Sequence, residues 1–200
     1  PPRSTLFPYT TLFRSATVPN LIYLGGEKVV HNPKVEALPY EQLVCPTFDQ
    51  LPLEKYLMPY LVLPYMSSRG CYWGKCTFCT HSFIYDSYYR KANEVRVAEE
   101  LDHLSQKYKT KYFTFSDEAI SPNAFNRMSR EILKKGVEIR SLGMLKFESG
   151  DKESPELFED VYRAGFLMLF FGLESANDRI LSIIDRSEEH TSELQSHLNL

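Results

Sequence analysis

Cys71, Cys76 and Cys79 lie within nine residues, in the run Cys71-Tyr72-Trp73-Gly74-Lys75-Cys76-Thr77-Phe78-Cys79. Thiols crowded this closely on one loop suit a shared metal or cluster better than a disulfide. Thiolates are soft ligands that select zinc, copper(I) or iron–sulfur clusters. Three of them can hold three irons of a cubane and leave the fourth iron open. An open position is what separates a reactive metal centre from a closed structural one. His81 follows two residues after Cys79, so a structural Cys3His zinc site from Cys71, Cys76, Cys79 and His81 is the competing reading. Structural zinc sites usually draw their ligands from two separated knuckles, which weighs against it. Cys45 stands alone and reads as a small buried hydrophobe.

The elements that must position these thiols follow from periodicity. Residues 61–66 (Leu-Val-Leu-Pro-Tyr-Met) form an apolar run that reads as a buried strand leading into the cysteine loop. Val97, Leu101, Leu104 and Tyr108 fall on one face of a helix over 93–108. Residues 111–116 read as a second strand. Ser121-Pro122 then opens a helix with buried Phe125, Met128 and Ile132, which Gly136 ends. A third strand is expected over 139–145. Ser154-Pro155 starts a helix that buries Leu157, Phe158 and Val161 and stops at Gly165. Residues 167–173 are almost all apolar, as expected of a parallel strand covered by helices, and Asn177 opens a fourth helix. Upstream, two short apolar runs around Gly25-Gly26 predict a β-hairpin. Residues 33–60 hold Pro39, Pro46, Pro52 and Pro59 without a sustained period, which predicts an extended connector.

Strand–helix alternation repeated four times means an α/β fold of parallel βαβ units. Periodicity leaves open a doubly wound sheet or part of a (β/α) barrel. In both, function gathers at the C-terminal ends of the strands. Besides the cysteine loop, those ends carry Ser116-Asp117-Glu118, Lys146 and Glu148, and Gly172-Leu173-Glu174-Ser175. Helix N-termini also favour acids, so Asp117 and Glu118 have a capping alternative. Glu174 follows an apolar strand, where an unpaired charge is costly to desolvate, so a functional role is expected. The pair Lys146 and Glu148 reads equally well as pocket-facing or as an exposed loop pair.

The chain has 200 residues, 43% hydrophobic and 24% charged, with a formal net charge of −3. That composition excludes a disordered, collagen-like or coiled-coil chain. No apolar run approaches the ~20 residues of a membrane span, and the charge balance suggests no nucleic-acid partner. Residues 1–15 (PPRSTLFPYTTLFRS) and 186–200 (RSEEHTSELQSHLNL) resemble translated sequencing-library adapters. Both are set apart from the fold as non-native tails. The expected division is therefore tail 1–15, hairpin and linker 16–60, βα units 61–185 and tail 186–200. Ending after the fourth strand is expected to leave an unpaired, very apolar edge, an aggregation hazard.

Arg69-Gly70-Cys71 through Cys79, followed by βα repeats, resembles the radical S-adenosylmethionine (SAM) superfamily. Four residues separate the first two cysteines, where the usual family motif has three. This variant resembles the branch that carries a cobalamin-binding domain before the barrel, as do Pro19-Asn20-Leu21-Ile22-Tyr23 and Pro46-Thr47-Phe48-Asp49. The resemblance implies a partial TIM barrel of which this chain holds the front part, about four βα units. It implies a [4Fe–4S] cluster on Cys71, Cys76 and Cys79, with SAM on the open iron. It places Phe78 near the adenine and Ser116-Asp117-Glu118 at the SAM amine, with Glu118 favoured over Asp117. It places Gly172, Glu174 and Ser175 at the ribose. The family's Gly-Gly-Glu form is absent after the second strand, and Gly25-Gly26-Glu27 is a decoy in the hairpin turn. Tyr89-Arg90 resembles a recurrent Tyr/Arg position.

The function this resemblance implies is reductive SAM cleavage to a 5′-deoxyadenosyl radical that abstracts hydrogen from substrate. Cobalamin would join through a preceding domain in the parent protein. The implied partners are a small-molecule or peptide substrate and a reductant such as flavodoxin or ferredoxin, with a cytoplasmic location. The fragment alone is expected to be inactive. A zinc-stabilised structural domain is the alternative.

Overall fold

The computed structural model describes residues 15–81, 89–146 and 155–186. Glu148, Ser154 and the adapter-like tails, apart from Ser15 and Arg186, lie outside the described residues. The chain divides into two compact units, Pro1–Pro39 and Tyr40–Leu200. In the first, strands Ile22–Gly25 (β1) and Lys28–His31 (β2) pair antiparallel, as expected of the hairpin. Gly26 turns the chain at φ 70°, a left-handed value that costs glycine little. The Asn32 amide donates to the carbonyls of Ser15 and Val18, both at 2.6 Å, closing the base of this unit.

The second unit is a mixed α/β assembly. Strand Val62–Tyr65 (β3) pairs parallel with Tyr112–Phe115 (β6). Strand Ser141–Lys146 (β7) pairs parallel with Phe166–Gly172 (β8). A parallel bridge between Tyr112 and Arg140 joins the two pairs at their N-terminal ends. There the Phe113 N–H donates to the Arg140 carbonyl at 3.0 Å, and the Ser141 hydroxyl to the Phe113 carbonyl at 3.0 Å. Neighbour order thus follows chain order, without the reversal that marks a doubly wound switch point. The arrangement is compatible with a section of a (β/α) barrel, and among the described residues it does not close.

Helices Glu94–Tyr108 (α1), Pro122–Lys135 (α2) and Pro155–Arg163 (α3) connect these strands, each packing on the next. Their starts and stops are those the sequence predicts. The Asn93 side chain caps α1 by accepting from the Val95 N–H, and Ser121 caps α2 by accepting from the Ala124 N–H. Gly165 ends α3 at φ 105°, where a Cβ would stand 2.1 Å from the Ile139 carbonyl oxygen, so only glycine fits. A last helix, Asp178–Ile183 (α4), is capped by Asn177. The core lies between strands and helices: Leu63, Tyr65, Phe113 and Phe115 meet Val97, Leu101, Leu104, Phe125 and Ile132. Phe125 stands edge-on to Phe166, ring centroids 4.6 Å apart, and Gly143 leaves room for its ring. No helix among the described residues is long and apolar enough to cross a membrane.

Three features differ from expectation. The second unit reaches back to Tyr40, whereas the sequence begins the βα units at 61. The Arg96 guanidinium donates to the carbonyls of Tyr40, Glu41 and Leu43, and the Phe48 N–H donates to the Tyr108 hydroxyl at 2.7 Å. Such side-chain-to-backbone ties hold residues 40–48 on α1 and leave no periodic signature. Secondly, Ser68–Arg69 (β4) and Arg90–Lys91 (β5) form a two-residue antiparallel pair, too short to carry a period. Thirdly, helices cover β8 only in part, although its unpaired apolar edge among the described residues is the one the sequence predicts. Phe166 is buried, but Leu167, Met168 and Phe170 are 54%, 55% and 47% exposed.

Candidate functional site

The chemically loaded side chains belong to segments that leave the C-terminal ends of the four parallel strands. The cysteine loop follows β3 and β4, and the β4–β5 pair, which sets Arg69 against Arg90, fixes its entry. Its exit is held by the Cys79 N–H donating to the Cys76 carbonyl at 3.1 Å. The loop is also tied to the end of α4. The Trp73 indole N–H donates to the Asp185 carbonyl at 2.7 Å, and the Thr77 N–H to the Ile184 carbonyl at 3.2 Å.

Cys71, Cys76 and Cys79 are all free thiols and half-buried. Burial pushes the Cys76 thiol up, and the charges of Cys71 and Cys79 push the same way. The Arg186 guanidinium, 3.7 Å from its sulfur, opposes them. Among the described residues no three His, Cys, Asp or Glu side chains stand gathered as a metal-holding group. The donor set nevertheless fits a soft metal group in its chemistry. It offers three free thiols within nine residues of one loop. His81 is turned toward a carboxylate, with Nδ1 3.8 Å from Glu118 Oε1. Phe78 is 54% exposed, so it is not a core residue.

The segment after β6 separates its two acids. Asp117 is buried and fully engaged. Its carboxylate accepts from the Ser67 N–H at 3.0 Å, the Ser67 hydroxyl at 2.8 Å and the Ser68 hydroxyl at 2.6 Å. Desolvation raises its pKa, and the bonds from Ser68 and Ser67 work against that rise. Asp117 therefore locks the turn between β3 and β4 onto the end of β6. Glu118 is different. Its side chain is only 12% exposed, yet Oε2 is buried with no hydrogen-bond partner among the described residues. A buried carboxylate oxygen left in that state is costly and calls for a donor. Ser116, beside them, is exposed and donates its hydroxyl to the Tyr65 carbonyl at 3.2 Å.

At the end of β7, Lys146 is buried, with its ammonium 4.5 Å from the centre of the Trp73 ring. Glu148, expected beside it at this strand end, lies outside the described residues. Beyond β8, Glu174 is exposed and adopts φ 53°. The expectation that it is desolvated is therefore not met; the strand before it is itself open. Glu174 Oε1 lies 3.7 Å from the Arg186 guanidinium, which also donates to the Gly172 carbonyl at 2.8 Å. The Ser175 hydroxyl accepts from the Asn177 N–H at 3.2 Å. Tyr89 stacks edge-on with Tyr72, ring centroids 6.2 Å apart.

Sequence reasoning missed four residues. Ser67 and Ser68 carry no motif. Trp73 is the chain's single tryptophan and falls in the widened spacer, a signal that was present. Arg186, assigned to the adapter-like tail, is buried between Gly172, Glu174 and Cys76.

No family model matches the chain. It is similar to an uncharacterized methyltransferase of Pyrococcus horikoshii, 28% identical over 151 residues, which cover 73% of this chain and 32% of that protein. It is also similar to an uncharacterized protein of Archaeoglobus fulgidus, 26% identical over 140 residues, covering 62% of this chain and 26% of that protein. The chain thus spans about a third or less of the length of these relatives.

Proposed function

We propose that this chain is the front part of a radical SAM-type (β/α) barrel enzyme, with Cys71, Cys76 and Cys79 holding a [4Fe–4S] cluster and Glu118 receiving the amine of SAM. The observation that carries this reading is Glu118: a nearly buried carboxylate at a strand end, one oxygen unpartnered among the described residues, beside the loop of three free thiols. A cationic amine is the donor such an oxygen needs. The likeness to a protein called a methyltransferase supports SAM as the small molecule.

The chain's own residues then have distinct tasks. Asp117 braces the turn behind the thiols, leaving Glu118 to face the ligand. Glu174, with Gly172 and Ser175, lines the end of β8, where a carboxylate can accept from ribose hydroxyls. The exposed Phe78 ring is free to cover an adenine. When bound, the cluster and SAM supply electron transfer and cleavage of a carbon–sulfur bond. Cobalamin would bind a further domain of the parent protein, and the substrate and a reductant such as flavodoxin or ferredoxin would be its partners.

The test is anaerobic reconstitution of the chain with iron and sulfide. Bound iron with an absorbance shoulder near ~400 nm is expected, together with SAM binding that Glu118→Gln weakens about tenfold or more. Stoichiometric zinc uptake with neither iron–sulfur absorbance nor SAM binding would overturn the reading.

A further inference from the structure

The spacer between Cys71 and Cys76 holds Trp73, and its side chain is engaged from several directions. The indole N–H donates to the Asp185 carbonyl at 2.7 Å, past the end of α4. The Lys146 ammonium, at the end of β7, lies 4.5 Å from the ring centre. The Lys75 ammonium, from the same loop, lies 4.7 Å from it. Lys146 is 3% exposed, and a largely desolvated cation over an indole face is among the stronger cation–π contacts. One side chain therefore connects the thiol loop to two elements that arrive far later in the chain. Of the other aromatic rings of the loop, Phe78 is exposed and Tyr72 meets Tyr89 next to β5.

We propose that Trp73 is a positioning residue: it spans from the cysteine loop to the end of β7 and the end of α4, and so sets where the three thiols stand. The widened spacer supplies the reach for this strut. The role of the strut in cluster binding rests on the radical SAM reading, but the strut itself belongs to the chain without any bound group. Two of its contacts reach outside the loop, to Asp185 and to Lys146, and each can be cut separately. Trp73→Phe keeps a ring for the ammonium and removes the N–H donor. Lys146→Met keeps the indole and removes the cation.

As the single tryptophan, Trp73 also reports on itself. In the metal-free chain, Lys146→Met is expected to shift the tryptophan emission to the red and increase its quenching by acrylamide. Iodoacetamide labelling read by mass spectrometry provides the second measurement, with Cys45 as internal reference. Trp73→Leu is expected to speed labelling of Cys71, Cys76 and Cys79 relative to Cys45 about fivefold, as loss of a contact of this strength allows. Trp73→Phe is expected to restore most of the protection. A uniform rise that includes Cys45 would mean general unfolding and would overturn the proposal. So would unchanged emission in Lys146→Met, or unchanged labelling in Trp73→Leu. Iron and sulfide uptake by the unsubstituted chain is measured alongside. Its failure with the labelling pattern intact would refute the cluster and leave the strut.

Discussion

The β3–β6 pair and strand β8 are both built from apolar sequence and end in opposite states. In β3 and β6, alternate residues Leu63, Tyr65, Phe113 and Phe115 are sealed under α1 and α2. In β8, the run Phe166-Leu167-Met168-Leu169-Phe170-Phe171 is more apolar still, yet three of its side chains stay half-open. What differs is the neighbourhood. The β3–β6 pair has helices packed on it and is flanked by residues 40–48, anchored through Arg96 and Tyr108. The β8 strand has β7 on one side and, among the described residues, no strand on the other. Apolar sequence creates a demand for burial, and only a neighbouring element meets it.

The largest effect is expected where the covered region meets the open one. Phe125 is fully buried, pressed edge-on against Phe166 and seated over Gly143. Phe125→Ala is expected to cost about 3–5 kcal/mol, because the rigid strands and helices around it leave a cavity. Urea denaturation followed by circular dichroism checks this, with the midpoint falling and the slope unchanged. A loss near that of an exposed position would mean that the helix-covered face is packed no better than β8.

The same contrast explains what could be read from the sequence. Elements with a period and a cap were legible: α1 from Asn93 and its Val97-Leu101-Leu104 stripe, α2 from Ser121-Pro122 and Gly136, and the hairpin from Gly25-Gly26. The strand ends carrying Cys71, Glu118, Lys146 and Glu174 followed from those elements. Three-dimensional ties were not legible. Nothing local in the sequence says that Arg96 holds three carbonyls of residues 40–43, or that Ser67 and Ser68 occupy Asp117. The exposure of Glu174 has a related cause: an apolar strand buries the residue at its end only where a neighbouring element covers it, and β8 is open. Asp117 and Glu118 are adjacent and chemically alike, and only the partners brought by β4 distinguish them.

That pair provides a prediction of intermediate size, from within the covered region. Burial raises the pKa of Asp117, so the folded state holds its proton more tightly than the unfolded chain. Its contribution to stability is then fully present below the unfolded carboxylate value. It is lost as pH rises through the higher folded value. Stability measured from acid toward neutral pH should therefore contain a downward component that Asp117→Asn removes. Asp117→Ala leaves the Ser67 and Ser68 donors unpaired and is expected to cost about 1–3 kcal/mol in acid, and less as pH rises. If Asp117→Asn leaves the pH profile unaltered, the carboxylate is better solvated than its three hydrogen bonds and burial imply.

The smallest effect on stability is expected at the open strand. Met168 and Phe170 have side chains about half in water, so replacing both with threonine removes little buried area and keeps the β-branched preference of a strand. The expected change in unfolding free energy is within about 0.5 kcal/mol per site, the range of ordinary surface positions. Association should respond far more, since an apolar, unpaired strand is a template for pairing with another chain. Light scattering during concentration should fall, and soluble recovery should rise, in the double variant. A loss of about 2 kcal/mol or more, comparable with burial of these side chains, would show that this face is covered in solution. The contrast between the two strand pairs would then disappear, because β8 would have found the neighbour that β3 and β6 already possess.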